Sequence, residues 1–385
     1  MNKETKYNWF IIFLIAFLVS EAIYKILLWE GYRHIRVAAV VKFLAQCYIG
    51  YMIIVKRKSL IKEILLLVLL FVSFLIGQFA LKNNINFYKN FEYFNNSIFT
   101  ILVLMFFKAV KLSNKQKEKA LKYMEVVILI NYILAIIGYV FSIKYFKTYF
   151  GGRFGYDGLL MKSSYSSYLN IVALFYGFHK FFVLKKMKFY FILIVVIGAI
   201  LSGTKSSLLA LFLIVTYILY VKKVYKNYLF LGVVASILFL AIYFNQNILL
   251  FLQKNLEVFG PIIEEHGYLT AILSYRDIIL MSELMPYVTE NWSVVNYLFG
   301  GMGKILIKSG LEIIDLFYFF GLVGSIIYLY FFKNVFFPEK KSKEVIYFCV
   351  IIVIISSFGG NFFYNSSLAI FLCGIKFYFE SYNDN

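Results

Sequence analysis

The chain has 385 residues, 62% of them hydrophobic and only 15% charged, with a mean hydropathy of +0.79. A soluble domain would be nearer half apolar and a quarter charged, so this composition excludes a water-soluble globule and indicates an integral membrane protein. The formal net charge of +19 is read as a topology signal and a match to anionic lipid headgroups, not as a nucleic-acid surface.

A spanning helix needs about 20 mostly apolar residues. Windows that qualify begin near Trp9, Val37, Ile64, Asn95, Tyr123, Ser163, Phe189, Ser206, Tyr228, Asp315, Val345 and Asn361. The expected fold is therefore all-α and polytopic, with about twelve transmembrane helices. With the N-terminus inside, most of the 39 Lys and Arg fall in inner segments, notably Lys56 to Lys62, Lys108 to Lys122, Lys180 to Lys188 and Lys333 to Lys343. Cytoplasmic loops carry such an excess. Both termini are then cytoplasmic, and two external loops stand out: Lys144 to Lys162, and Asn245 to Leu316 between the ninth and tenth helices.

In the first helix Glu21 and Lys25 are spaced i, i+4 and read as a pair on one face. The turn from Gly31 to Arg36 holds Arg33, His34 and Arg36 on the external side, either as an exception to the charge rule or as contacts for a lipid phosphate. Lys82 to Asn96 reads as a short polar and aromatic external loop. Its Tyr and Phe residues suit an interfacial belt, with stacking on a sugar ring as the alternative. The inner loop Lys111 to Lys122 is a solvated basic face. Cys47, Cys349 and Cys373 lie in apolar runs without metal or disulfide spacing and read as small core residues.

The loop Lys144 to Lys162 contains Gly151, Gly152, Gly155 and Gly158 around Arg153. Glycines permit close backbone approach to a ligand, and the guanidinium fork suits a phosphate. It leads into a helix opened by Ser163, Ser164, Ser166 and Ser167, and helix openings favour anions. The next hairpin is interrupted by Ser202, Gly203, Thr204, Lys205, Ser206 and Ser207, which places a lysine ringed by hydroxyls at a helix N-terminus.

The long external loop carries Lys254, Arg276, Lys304 and Lys308 against Glu257, Glu264, Glu265, Asp277, Glu283, Glu290, Glu312 and Asp315. Leu269, Ile272, Leu273, Ile279, Leu280 and Leu284 recur at helical spacing and predict one amphipathic helix over Tyr268 to Tyr287, ended near Pro286. Gly300, Gly301 and Gly303 follow. Glu312 and Asp315 then open an apolar helix, where carboxylates suit the dipole whether or not they have a chemical role.

Displacing an anionic leaving group requires cations to meet its charge and a base for an attacking hydroxyl. Arg153, Lys205 and Arg276 are the external cations best placed for the first task, and Glu312 or Asp315 for the second, ahead of His266. No dense Asp or His cluster suggests a metal, and no cofactor is expected.

The order of a Gly-rich loop with an arginine, an "LSGTKSSLLAL" turn, a long external loop with an internal arginine, "LFGGMG" and "EIIDLFYFFGLVGSIIYL" resembles the bacterial O-antigen polymerase and ligase superfamily, on its polymerase side. The resemblance spans roughly Lys144 onward. It implies a membrane glycosyltransferase of GT-C type. Such an enzyme joins undecaprenyl-diphosphate-linked oligosaccharide units into O-antigen or capsular polysaccharide on the outer face of the cytoplasmic membrane, without a metal and with inversion. A flippase and a chain-length regulator would be its partners. Lys205 stands where family members often have arginine. Glu312 and Asp315 stand where ligases place a His-Asn pair. The alternatives are an O-antigen ligase or other lipid-linked sugar transferase, and a lipid-linked oligosaccharide flippase or transporter.

Overall fold

The computed structural model describes residues 5–82, 87–151, 153–160, 162–226, 260–302, 308–338 and 342–383. Among them, regular structure is helical apart from one antiparallel bridge between Lys147 and Tyr156. The helices are α1 (Thr5–Trp29), α2 (Val37–Val55), α3 (Ile61–Phe79), α4 (Phe87–Val110), α5 (Asn114–Val140), α6 (Ser163–Phe178), α7 (Phe189–Leu201) and α8 (Lys205–Val221). They continue with α9 (Gly260–Leu273), α10 (Arg276–Ile279), α11 (Met285–Asn291), α12 (Val294–Phe299), α13 (Glu312–Phe336), α14 (Lys343–Gly359) and α15 (Ala369–Asn383). The predicted span near Tyr228, the loop start from Asn245, and Lys254, Glu257 and Lys304 lie outside the described residues.

Among the described residues, six helices are long and apolar enough to cross a membrane: Asn8–Trp29, Val37–Val55, Ile61–Phe79, Phe87–Val110, Asn114–Val140 and Glu312–Phe336. The protein is a helical membrane protein. Its outward faces are apolar, with Phe79 at 73% and Phe43 at 63% exposure, as a hydrocarbon solvent allows and water does not. Since lipid is as apolar as leucine, packing and internal hydrogen bonds hold the helices together. α4 and α6 form the centre, and their polar residues point inward. Asn90 donates to Gln78 Oε1 at 2.7 Å and to the Met302 carbonyl at 3.0 Å, while Tyr132 Oη donates to Asn170 Oδ1 at 2.5 Å.

Several sequence expectations change here. α4 begins at Phe87, so much of the expected loop from Lys82 to Asn96 is helix, and the side chains of Asn90, Asn95 and Asn96 bond to Gln78, Gln46 and Tyr364. Glu21 and Lys25 do not pair. Lys25 reaches Asp157 at 2.5 Å and the Gly158 carbonyl at 2.9 Å, whereas Glu21 meets Lys42 at 2.6 Å and Ser367 at 2.5 Å. Both partners come from other elements, where the groups are buried and an exposed i, i+4 contact would be worth little. The expected single helix from Tyr268 to Tyr287 is broken at Ser274 and Tyr275, with φ of 56° and 64°. Beyond them α10 passes through a π turn, Leu280–Leu284, into α11, with Pro286 in the first turn, where its missing N–H is tolerated.

α13 bends at Gly321, whose φ is 66°. Close contact with α12 requires the glycine: a Cβ there would stand 2.3 Å from Gly300 N and 2.4 Å from Phe299 N. The "LFGG" segment is thus held between α13 and α3, with Asn296 Nδ2 donating to the Gly77 carbonyl at 2.8 Å. We predict that Gly321→Ala lowers the thermal midpoint in detergent by several degrees. A left-handed L-residue costs roughly 1–2 kcal/mol and overpacking about 1–3 kcal/mol more. Gly50→Ala, whose Cβ meets nothing within 4 Å, is the control and should leave the midpoint unchanged.

Candidate functional site

The N-termini of α6, α8 and α13 meet the C-termini of α5, α7 and α14 at one end of the bundle, here termed the upper end. α13 starts where it does because two carboxylates in its first turn gather loop amides. Asp315 Oδ1 accepts from Ser309 N and Oγ, both at 2.8 Å, and Oδ2 accepts from Gly310 N at 2.9 Å. Glu312 reaches the opposite way, accepting from Phe362 N at 2.8 Å and Phe363 N at 2.9 Å. Both carboxylates are buried. They clamp the segment before α13 to the one between α14 and α15, so tightly that a Cβ on Gly360 would lie 2.1 Å from the Gly310 carbonyl oxygen.

Arg276 enters the same junction from α10. Its Nη1 donates to the Phe358 carbonyl and Nη2 to the Gly359 carbonyl at 3.4 Å, at the C-terminus of α14 where carbonyls lack helical partners. Its Nε would be 2.7 Å from a Cβ on Gly310. Tyr168 Oη donates to the Gly360 carbonyl at 2.8 Å. Burial holds the Arg276 guanidinium below its ordinary pKa, against the attraction of Tyr168 and Asp315.

Lys205 lies at the start of α8 and donates to the Ala271 carbonyl, to the Ile272 carbonyl at 3.3 Å and to Ser274 Oγ at 3.1 Å. It thereby docks the end of α9 on the α7–α8 turn. Arg153 stacks over the Tyr149 ring at 3.9 Å, and both Arg153 and Arg276 are close enough to repel the Lys205 ammonium. Arg153 is brought there by a loop sewn to the same turn: Tyr156 N donates to the Leu201 carbonyl at 2.7 Å and Thr148 Oγ1 to the Ser202 carbonyl at 3.0 Å. In that loop Asp157 is fully buried, and burial lifts its carboxyl to about 6 despite Lys25.

The hydroxyls expected to ring Lys205 turn inward instead. Ser202, Thr204 and Ser207 bond to one another, and Asn170 Nδ2 donates to Ser202 Oγ at 3.1 Å and Ser207 Oγ at 2.6 Å. They shape the turn. Ser167, from the opening of α6, joins them through Thr204 at 3.1 Å. His266 lies on α9, its Nε2 3.7 Å from Glu265 Oε2.

Sequence reasoning missed a second set of cations beside Glu312. The Lys308 ammonium sits 3.3 Å from the Tyr364 ring centroid and 4.3 Å from that of Tyr93, with Asn361 Oδ1 at 3.5 Å. Burial lowers its pKa to about 7, although Asp315 and Glu312 pull the other way. Lys162 is its cationic neighbour. Burial lowers the Lys162 pKa too, Glu21 raises it, and Lys42 and Arg36 lower it further. The available signals were Lys308 four residues before Glu312, and Lys162 immediately before the serines that open α6.

The upper end therefore gathers residues scattered from Lys42 to Tyr364 into two adjoining cationic groups beside two buried carboxylates and a tyrosine-lined wall. Such a place can stabilise a multiply charged anion and present ring faces to an apolar or sugar surface. No protein-family model matches the chain, and neither curated proteins nor solved structures show a significant match.

Proposed function

We propose that the protein is a membrane glycosyltransferase that polymerises undecaprenyl-diphosphate-linked oligosaccharide units on the outer face of the cytoplasmic membrane. The observation that carries this reading is the meeting of Arg276, Lys308, Glu312 and Asp315 in one junction, with Arg153, Lys205 and Lys162 beside it. In this reading the chain crosses the bilayer about twelve times in a GT-C-like arrangement with both termini inside, and the upper end faces outward. The bond from the anomeric carbon to the diphosphate breaks, a hydroxyl oxygen of the incoming unit bonds that carbon from the opposite side, and the hydroxyl proton passes to Glu312. Cations meet the charge that develops on the departing diphosphate. Lys308 and Arg276 have the central place, and Lys162, Lys205 and Arg153 the flanks. Asp315 holds the loop that carries Lys308.

The test is a deletion strain complemented with the wild type or single variants at matched membrane levels, with lipid-linked glycans sized on a gel. Single repeat units accumulating on the outer face in the deletion strain support polymerisation. Long chains left on the carrier lipid would make the protein a ligase.

A transporter is the second reading, favoured by the buried pairs of Glu21 with Lys42 and Lys25 with Asp157, since ionisable groups within a membrane often mark a transport path. Units retained on the inner face in the deletion strain would decide for it.

The pH dependence supplies a further prediction. Lys308 has its pKa lowered to about 7, so it is charged below that pH and neutral above it. Binding of a lipid-diphosphate analogue to the purified protein should weaken as pH rises through this range. Lys308→Arg, which stays charged throughout, should flatten the profile. A wild-type profile already flat from pH 6 to 9 would remove Lys308 from the diphosphate site.

A further inference from the structure

At the lower end of the bundle lies a cavity of about 680 Å³ lined by the start of α5, the end of α6 and the end of α15. We infer that this cavity binds a phosphate group, carried by an anionic lipid headgroup or by a soluble phosphate, at a site separate from the upper cluster. The separation follows from the helices themselves. α6 begins at Ser163 beside the α7–α8 turn and reaches the cavity at Lys180, about 25 Å away at 1.5 Å per residue. α15 likewise starts next to the segment that Glu312 binds and meets the cavity only in its last turns.

The lining offers three lysines, Lys122, Lys180 and Lys186, against one carboxylate, Glu118. Lys180 is fixed in place, its ammonium 2.6 Å from Glu125 and 2.9 Å from Tyr176 Oη. Lys122 and Lys186 are exposed, and neither ammonium has a hydrogen-bond or ion-pair partner among the described residues. Tyr378 adds a hydroxyl at the wall, oriented by His179 Nδ1 at 2.5 Å. Backbone geometry is also unusual here. α6 ends in a π turn, His179–Val183, a feature that recurs at functional sites because it re-aims the side chains that follow. Lys185, at φ 55°, then folds the chain back so that Lys186 N donates to the Lys180 carbonyl at 2.9 Å.

The volume lies within the range of small-ligand sites, roughly 300–1,000 Å³, and exceeds what one inorganic phosphate fills. Leu121 and Leu184 complete the wall with apolar surface, and Phe182 and Phe189 are exposed nearby, which suits a headgroup whose acyl chains run along the outside of the bundle. Basic pockets between helices on the positive side of a membrane protein hold lipid headgroups in this manner.

The experiment uses the purified full chain in detergent and a double variant, Lys122→Ala with Lys186→Ala. Both residues are exposed, so the fold should persist, and an unchanged thermal midpoint checks this. Retention of cardiolipin, phosphatidylglycerol and phosphatidylcholine is measured by native mass spectrometry, and binding of inorganic phosphate and glycerol phosphate by calorimetry. Wild type should hold the anionic lipids, and the double variant should hold them about thirtyfold less tightly, the effect of two lysines near an anionic surface. Lysine-dependent binding of the soluble phosphates without a preference for anionic lipid would support the site and identify its source as soluble. Phosphatidylcholine retained as well as the anionic lipids, or equal binding of every probe by wild type and variant, would overturn the inference.

Discussion

Arg276→Ala is expected to abolish long glycan chains, with a fall in rate of about 10²–10³, the typical cost of removing one donor from a developing oxyanion. Arginine is suited to this position because its five donors lie in a rigid fork, and the Phe358 and Gly359 carbonyls use only part of it. The remainder can serve a diphosphate. Alanine would also leave the end of α14 without its cap, a loss of about 1.5–3 kcal/mol for each charged hydrogen bond. The midpoint of unfolding in detergent must therefore be measured beside the rate. Arg276→Lys separates the two roles: a lysine keeps the charge and can cap one carbonyl, but it cannot span two carbonyls and a phosphate together. The lysine variant should recover most of the stability and only a small part of the rate. If Arg276→Ala polymerises in proportion to the folded protein that remains, the arginine is a cap alone and belongs outside the diphosphate site.

The scaffold was legible in hydropathy because a bilayer forces long apolar runs, and the starts of α2 and α7 fall where composition changes. α4 was harder. Its first turns carry Tyr88, Lys89, Asn90, Glu92, Asn95 and Asn96, a loop-like composition whose polar groups are acceptable only because neighbouring helices supply partners. The break between α9 and α10 was hidden for another reason: Ser274 and Tyr275 adopt left-handed backbone without a glycine to announce it. Ion-pair partners were not legible at all beyond i, i+4 spacing. Lys25 meets Asp157 across 132 residues and Lys42 meets Glu21 across 21, and only the packed bundle determines such pairs. The proximity of Arg153, Lys205 and Arg276 was inferable from the external placement that the charge pattern predicts for all three, whereas Lys308 and Lys162 were given no role because each resembled an ordinary loop lysine.

Glu312→Gln should remove long chains as completely as Arg276→Ala, but two different physical effects would produce that loss. The glutamate oxygens accept two buried backbone N–H groups. A glutamine has one oxygen for them, and its NH2 group would face the other N–H, donor against donor, at a cost of about 1–3 kcal/mol. A glutamine also cannot take the proton of an attacking hydroxyl at neutral pH. Asp315→Asn provides the comparison, because Asp315 holds three donors in the neighbouring loop and should lose a similar stability without losing a base. Glutamate retains a lone pair on each oxygen after meeting the two amides, which is the capacity the proton transfer requires. The expected pattern is comparable loss of thermal midpoint in the two variants, measurable polymerisation by folded Asp315→Asn, and none by folded Glu312→Gln. Equal specific activity of the two variants, once normalised to folded protein, would leave both carboxylates as clamps and require the base to be sought elsewhere in the upper cluster.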